Sequence, residues 1–169
     1  MEEIKFVKLP REKRIFDIII SLILFLISSP LLCALLLWII IEQLFVPASR
    51  GSLFYSEIRV SGKKEFRFFK FRIFKQAVLV GEMKKGGCLH TKPLEGDDNN
   101  LTYYGRFLKQ VYMDEFPQLY NVLKGEMTLV GPRPTNVENS KNMREMGDYT
   151  RERMVGGITG TIQAHKGEG

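Results

Sequence analysis

One stretch dominates the hydropathy pattern. From Ile15 to Ile41 nearly every position is apolar, the exceptions being Asp17, Ser21, Ser28, Ser29 and Pro30. As a helix this run is roughly 40 Å long at ~1.5 Å per residue, enough to cross a bilayer core of ~30 Å. Leu22 to Trp38 is apolar on every face, unlike the one-sided stripe of a soluble surface helix. The run is too long for a cleaved leader, and no small-residue cleavage site follows it. Ser28-Ser29-Pro30 divides it. Proline removes a helical N–H and collides with the preceding turn, which predicts a kink near Ser29. Two topologies stay open: a re-entrant hairpin that leaves by the leaflet it entered, and a spanning helix that tolerates its proline. Arg11, Lys13 and Arg14 precede the run, and Arg50, Arg59, Lys63 and Lys64 follow it. Basic residues on both flanks suit two cytoplasmic ends. Asp17 is costly one turn inside such a run and is placed to pair with Lys13 or Arg14.

Beyond the anchor the pattern shortens. Leu53 to Val60 and Phe66 to Phe74 read as two strands joined by a turn at Ser61-Gly62-Lys63-Lys64. The second does not alternate cleanly, because Lys70 and Arg72 fall on the face of Phe66 and Phe68. Three accounts fit: a strand in the headgroup layer with its aromatics in lipid, stacking on single-stranded nucleic acid, or a substrate-phosphate site. With a membrane anchor upstream, nucleic acid is not the expected partner. Gln76 to Asn100, rich in Gly and polar residues and including His90, reads as a long loop of lid type.

Thr102 is positioned to cap a helix running to about Val111. Phe116, Leu119, Val122 and Leu123 then recur at helical spacing. Pro117 is tolerated only in a first turn, so this helix should begin near Asp114 and stop at Gly125. Asp114 and Glu115 would sit at its N-terminus, where the macrodipole favours their ionised forms, as a carboxylate nucleophile or metal ligand requires. Simple capping is the competing account. Met127 to Val130 follows as a short buried strand. It leads into Gly131-Pro132-Arg133-Pro134, where two prolines stiffen the backbone around Arg133. A fixed guanidinium suits bidentate phosphate binding; a rigid turn with an incidental arginine is the alternative.

Composition adds direction. The chain has 169 residues, a net charge of +6 and a pI near 9.3, which favours anionic partners such as phosphates and acidic headgroups. The two cysteines, Cys33 and Cys88, offer no zinc spacing and no natural disulfide, in keeping with a reducing compartment.

Several segments occur in an order that resembles the bacterial sugar transferase family, the monotopic phosphoglycosyl transferases. They are Lys13-Arg14-Ile15-Phe16-Asp17, Ser29-Pro30, Lys70-Phe71-Arg72, Gly105-Arg106-Phe107-Leu108, Asp114-Glu115-x-x-Gln118-Leu119-x-Asn121-Val122-Leu123-Lys124-Gly125 and Val130-Gly131-Pro132-Arg133-Pro134. The resemblance runs from about Lys13 to Gln163. It implies an α+β fold: a membrane re-entrant helix broken at Ser29-Pro30 within residues 1–47, then a cytoplasmic catalytic domain over 48–169 with a β-hairpin and interface helices. It implies transfer of a sugar-1-phosphate from a UDP-sugar donor to polyprenol phosphate at the inner membrane. Asp114 would be the nucleophile forming a covalent phosphosugar intermediate, Glu115 the Mg²⁺ ligand, and Arg133, Lys70 and Arg72 phosphate-binding residues. Departures exist. Relatives carry Gln-x-Arg-x-Gly where Glu57-Ile58-Arg59-Val60-Ser61 stands, and Arg-Pro-Gly-Ile-Thr-Gly-Trp where Val155-Gly156-Gly157-Ile158-Thr159-Gly160-Thr161 stands. Losing that proline should loosen the turn. Relatives usually continue further, whereas this sequence stops at Gly169, so a degenerate membrane-attached scaffold is the second expectation.

Overall fold

The computed structural model describes residues 6–84 and 91–160. In chain order the elements are α1 (Arg11–Phe45), β1 (Phe54–Ser61), β2 (Lys64–Phe71), α2 (Gln76–Lys84), α3 (Tyr103–Gln110), α4 (Gln118–Lys124), β3 (Thr128–Val130), β4 (Thr135–Asn136), α5 (Val137–Glu145), α6 (Thr150–Arg153) and β5 (Gly157–Thr159). This is the α+β mixture the sequence implied. The chain forms two compact units, one of Met1–Leu26, Ser56–Phe69 and Pro117–Gly169, the other of Ile27–Tyr55 and Lys70–Phe116.

Helix α1 is one continuous element, and Pro30 lies inside it without interrupting it. It is long and apolar enough to cross a membrane, and only 11% of its most apolar stretch is buried. A core helix of a soluble protein would hide most of that surface; here Leu26 and Ile27 stand more than two-thirds exposed. Its length, composition and exposure suit a membrane.

The first unit holds the polar start of α1. Asp17 is fully buried; it pairs with Lys13 Nζ at 3.3 Å and accepts the Thr128 hydroxyl proton at 2.5 Å. This is the partner the sequence suggested, with Thr128 added. Arg14 donates to the carbonyls of Val122 and Leu123 at the end of α4, where a cation complements the helix dipole. Gly125 ends α4 at φ 83°, the left-handed stop its position predicted. Phe66 and Phe68 of β2 pack with Val122 and Met127 in a small core. This replaces the expectation of a headgroup strand for that segment: these rings face protein, not lipid. Strand β1 pairs antiparallel with β4, Val60 opposite Thr135, and β3 pairs parallel with β5.

The second unit has its own core of Leu35, Ile39, Phe71, Ile73, Phe74, Leu79, Leu101, Tyr104 and Leu108. Thr102 caps α3 as expected, its Oγ1 accepting from Gly105 N at 3.0 Å. A second cap was not foreseen: buried Glu42, near the end of α1, accepts from Tyr103 N at 2.9 Å and Tyr104 N at 2.8 Å. The lid-type loop of 76–100 is corrected. Helix α2 and two short 3-10 turns, Lys92–Gly96 and Asp98–Asn100, occupy its described part. Leu79 supplies the apolar anchor that makes α2 fold. Cys88 and His90 lie outside the described residues. The second strand also ends earlier than expected, at Phe71, and Phe74 makes an isolated bridge to Leu101.

Candidate active site

Three side chains of the second unit converge. Lys70, next to last in β2, places Nζ 3.1 Å from Glu115 Oε1 and 3.6 Å from Asp114 Oδ2. Asp114 and Glu115 do not open the following helix, as the sequence suggested. They occupy a separate 3-10 turn, Met113–Glu115, and α4 begins at Gln118 after Pro117. Proline at the cap position of α4 separates the two. The turn is entered through Tyr112 at φ 56°, a left-handed conformation that costs a non-glycine residue roughly 1–3 kcal/mol and clusters at functional sites.

The electrostatics also differ from expectation. Asp114 is buried, and that burial raises its pKa above the ordinary value. The ammonium of Lys70 opposes the shift, while Glu115 and Glu95 reinforce it. Desolvation, not a helix dipole, thus dominates this carboxylate. A carboxylate whose pKa is shifted by desolvation beside a specific charged partner is a candidate functional group.

The other candidates separate. Arg72 is held by main-chain carbonyls instead of joining the acids. Its guanidinium is buried and donates to Ser52 O at 2.6 Å, Ser49 O at 2.7 Å and Phe74 O, and it lies 6.0 Å from the Tyr104 ring centre. All of its edges serve the backbone, and burial lowers its pKa. The physical reason is that β2 ends at Phe71, so Arg72 leaves the alternation that keeps Lys70 beside the carboxylates. Arg133 lies in the first unit, between β3 and β4, in a loop fixed at both feet. Gly157 N donates to Pro132 O at 2.8 Å, and Arg59 Nη1 donates to Pro134 O at 3.0 Å. The turn at Gly156, which lacks the proline of relatives, has contacts of its own. Gly156 N donates to Ser61 Oγ at 2.8 Å, a bond proline could not make, and a Cβ on Gly157 would fall 2.1 Å from Gly131 N. Ser29 and Pro30 lie within α1, as described.

Among the described residues, no group of three or more His, Cys, Asp or Glu side chains is arranged to hold a metal. The two adjacent carboxylates nonetheless fit Mg²⁺, which is commonly held by one or two carboxylates and completes its shell with water and substrate phosphates. Both donors are hard oxygens, and Glu115 is less buried than Asp114.

The family model of bacterial sugar transferases matches residues 9–169. The chain belongs to that family. It is 32% identical over 154 residues to a UDP-glucose:undecaprenyl-phosphate glucose-1-phosphate transferase of Klebsiella pneumoniae, covering 89% of this chain and 30% of that protein. It is 35% identical over 145 residues to an undecaprenyl-phosphate galactose phosphotransferase of Salmonella typhimurium, covering 81% of this chain and 29% of that protein. It is also 31% identical over 160 residues to the exopolysaccharide production protein ExoY of Sinorhizobium fredii, covering 89% of this chain and 67% of that protein. The chain thus spans about three-tenths of the length of the first two.

Proposed function

We propose that this chain is a phosphoglycosyl transferase that moves a sugar-1-phosphate from a UDP-sugar to a membrane polyprenol phosphate. The observation that carries the reading is the cluster of Lys70, Asp114 and Glu115. It joins a buried carboxylate, a second carboxylate and a cation within 3.6 Å. Relatives named for sugar-phosphate transfer to undecaprenyl phosphate support the same chemistry.

In this mechanism an oxygen of Asp114 attacks the sugar-bearing phosphorus of the donor. The bond from that phosphorus to the bridging oxygen breaks, and UMP leaves with the electron pair. Asp114 then carries the phosphosugar as a mixed anhydride. A phosphate oxygen of the polyprenol attacks the same phosphorus, and the Asp114 carboxylate is released as the diphosphate-linked product forms. The burial of Asp114 keeps competing water away and raises its nucleophilicity. Lys70 holds the charge of the resting carboxylates and is placed to shift onto donor phosphate oxygens as Asp114 loses its charge. Arg133 is a phosphate clamp on a rigid loop. Glu115, with Asp114 beside it, would hold Mg²⁺, which supplies charge neutralisation of the transferred phosphoryl group.

The same reading places α1 in the inner membrane as a re-entrant element, with the rest of the chain in the cytoplasm. Supporting it, each end of α1 is hydrogen-bonded to later segments of the chain. Arg14 and Asp17 hold α4 and Thr128, and Glu42 holds the start of α3. Exposed Tyr103 and Phe107 on α3, with Trp38 of α1 5.4 Å from the Phe107 ring, suit an interface helix at headgroup depth.

The experiment uses the protein in nanodiscs with Mg²⁺, a panel of UDP-sugars and polyprenol phosphate. At least one donor should release UMP continuously with acceptor, and about one equivalent per chain without it, as expected for a covalent intermediate. No UMP from any donor favours the scaffold instead. Labelling of single cysteines placed at Lys8 and Arg50 should come from one face of the membrane; opposite faces would establish a spanning helix.

A further inference from the structure

The loop that carries Arg133 is held by a second arginine, Arg59. Gly131-Pro132-Arg133-Pro134 connects β3, paired with β5, to β4, paired with β1. The carbonyls on both sides of Arg133 are occupied: Pro132 O by Gly157 N, and Pro134 O by Arg59 Nη1 at 3.0 Å. Gly131 N donates in turn to Thr159 O at 2.8 Å. The two prolines fix their own φ angles, and Pro134 restricts Arg133 to extended backbone. What remains is rotation of the loop as a body about its feet. One foot is closed by main chain, and at the other the Arg59 side chain holds the Pro134 carbonyl just before the β1–β4 ladder begins.

Arg59 is itself over-determined. Its Nε donates to Glu57 Oε1 at 2.7 Å, and Nη2 pairs with the same carboxylate. Its guanidinium lies 4.1 Å from the centre of the Phe68 ring, which is almost fully buried. A guanidinium stacked on an aromatic face and fixed by a carboxylate leaves one arm for Pro134 in a single direction. Arg59 also sits in register opposite Asn136, just beyond the loop. An arginine that only balanced Glu57 would not need to reach the loop carbonyl. A lysine would offer a flexible point charge in place of the planar fork.

We propose that Arg59 is a positioning residue. It clamps Pro134 so that Arg133 presents its guanidinium in one orientation, and Glu57 and Phe68 hold the clamp. The purpose of that orientation, gripping a phosphate of the donor, rests on the function proposed above.

The test separates the two. In a chain with Cys33 and Cys88 replaced by alanine, a nitroxide label on Arg133→Cys reports loop motion without any activity. Arg59→Met, which keeps the apolar stem over Phe68 but loses the donor to Pro134, should make the label markedly more mobile. Arg59→Lys should fall between. Should Arg59→Met fail to fold, Arg59→Lys and Glu57→Gln carry the same measurement, each with a smaller rise. Unchanged label mobility in the folded variants overturns the clamp.

Kinetics then reads the purpose in the chain with Arg133 intact. Arg59→Met should raise KM for the UDP-sugar about tenfold, with kcat less affected, and should add nothing in the Arg133→Ala background. A further rise in that background would give Arg59 a role of its own and overturn positioning through Arg133. A loosened label together with an Arg133→Ala chain of normal KM would instead sink the phosphate role of Arg133 and leave the clamp standing.

Discussion

Arg72 separates a structural cation from a substrate-binding one, and replacing it by methionine tests the distinction. Methionine keeps most of the side-chain length but no donor. The carbonyls of Ser49, Ser52 and Phe74 would lose their guanidinium partner. An orphaned buried acceptor costs about 1–3 kcal/mol; Ser52 O is partly open to water, and the other two would cost up to ~6 kcal/mol if they added. Two effects reduce this. Removing a buried guanidinium recovers part of its desolvation, which already lowers its pKa, and methionine packs favourably against the Tyr104 ring. A net loss of about 3–5 kcal/mol is expected, the usual range for breaking a buried charged network. For a chain of 169 residues that is about 6–20 °C in Tm. Trp38, the single tryptophan, belongs to the same unit and packs on Phe107, so its fluorescence on heating in nanodiscs at fixed scan rate reports the transition. Below that transition KM for the donor should stay within about twofold of the parent. A variant that melts normally but binds donor poorly would return Arg72 to the phosphate ligands and refute its structural assignment.

Four other outcomes follow from the geometry. Asp114 has a raised pKa in the folded chain because it is buried, so the folded state holds its proton more tightly than the unfolded. Its contribution to stability is present below the unfolded value of 3.8 and lost as pH rises through the folded one. Asp114→Asn should therefore melt higher than the parent at neutral pH in EDTA, with the gap closing toward pH 4; a gap independent of pH would contradict this. Glu115→Gln should shift the Mg²⁺ dependence of UMP release to at least about tenfold higher concentration, and an unchanged titration would remove Glu115 from the metal. Arg14→Ala leaves the end of α4 without its cation and should cost about 1–2 kcal/mol, read as a lower Tm with unaltered donor KM. Gly157→Ala would push a methyl to 2.1 Å from Gly131 N and should lower Tm by more than Arg14→Ala does; a neutral effect would mean the Arg133 loop is not held as described.

Much of this was legible from the chain. The apolar run, the hairpin, the Thr102 cap and the Gly125 stop all rest on local signals, and local signals survive folding. The carboxylate pair was also legible, because Pro117 limits how a helix can follow it. Its local geometry was not. A proline tolerated in a first turn is equally tolerated as a cap, and here it serves as the cap of α4. Lys70 and Arg72 looked equivalent because a strand was assumed to continue through both. The strand ends between them, and only one stays beside the acids. Glu42 was hidden for a different reason. A lone carboxylate at the end of an apolar run carries no sign that the start of α3, some sixty residues later, will need it. Helix α2 was hidden by its weak amphipathicity, since Leu79 is its single buried side chain.

The central claim is that Asp114 becomes covalently bonded to the phosphosugar. Intact-mass spectrometry of the purified protein after brief exposure to Mg²⁺ and its UDP-sugar, without polyprenol phosphate, tests it directly. The parent should gain the mass of one sugar-phosphate, discharged on adding acceptor, and Asp114→Asn should gain none and turn over no substrate. An Asp114→Asn chain that still forms the adduct, or still releases UMP at the parent rate, would contradict the account.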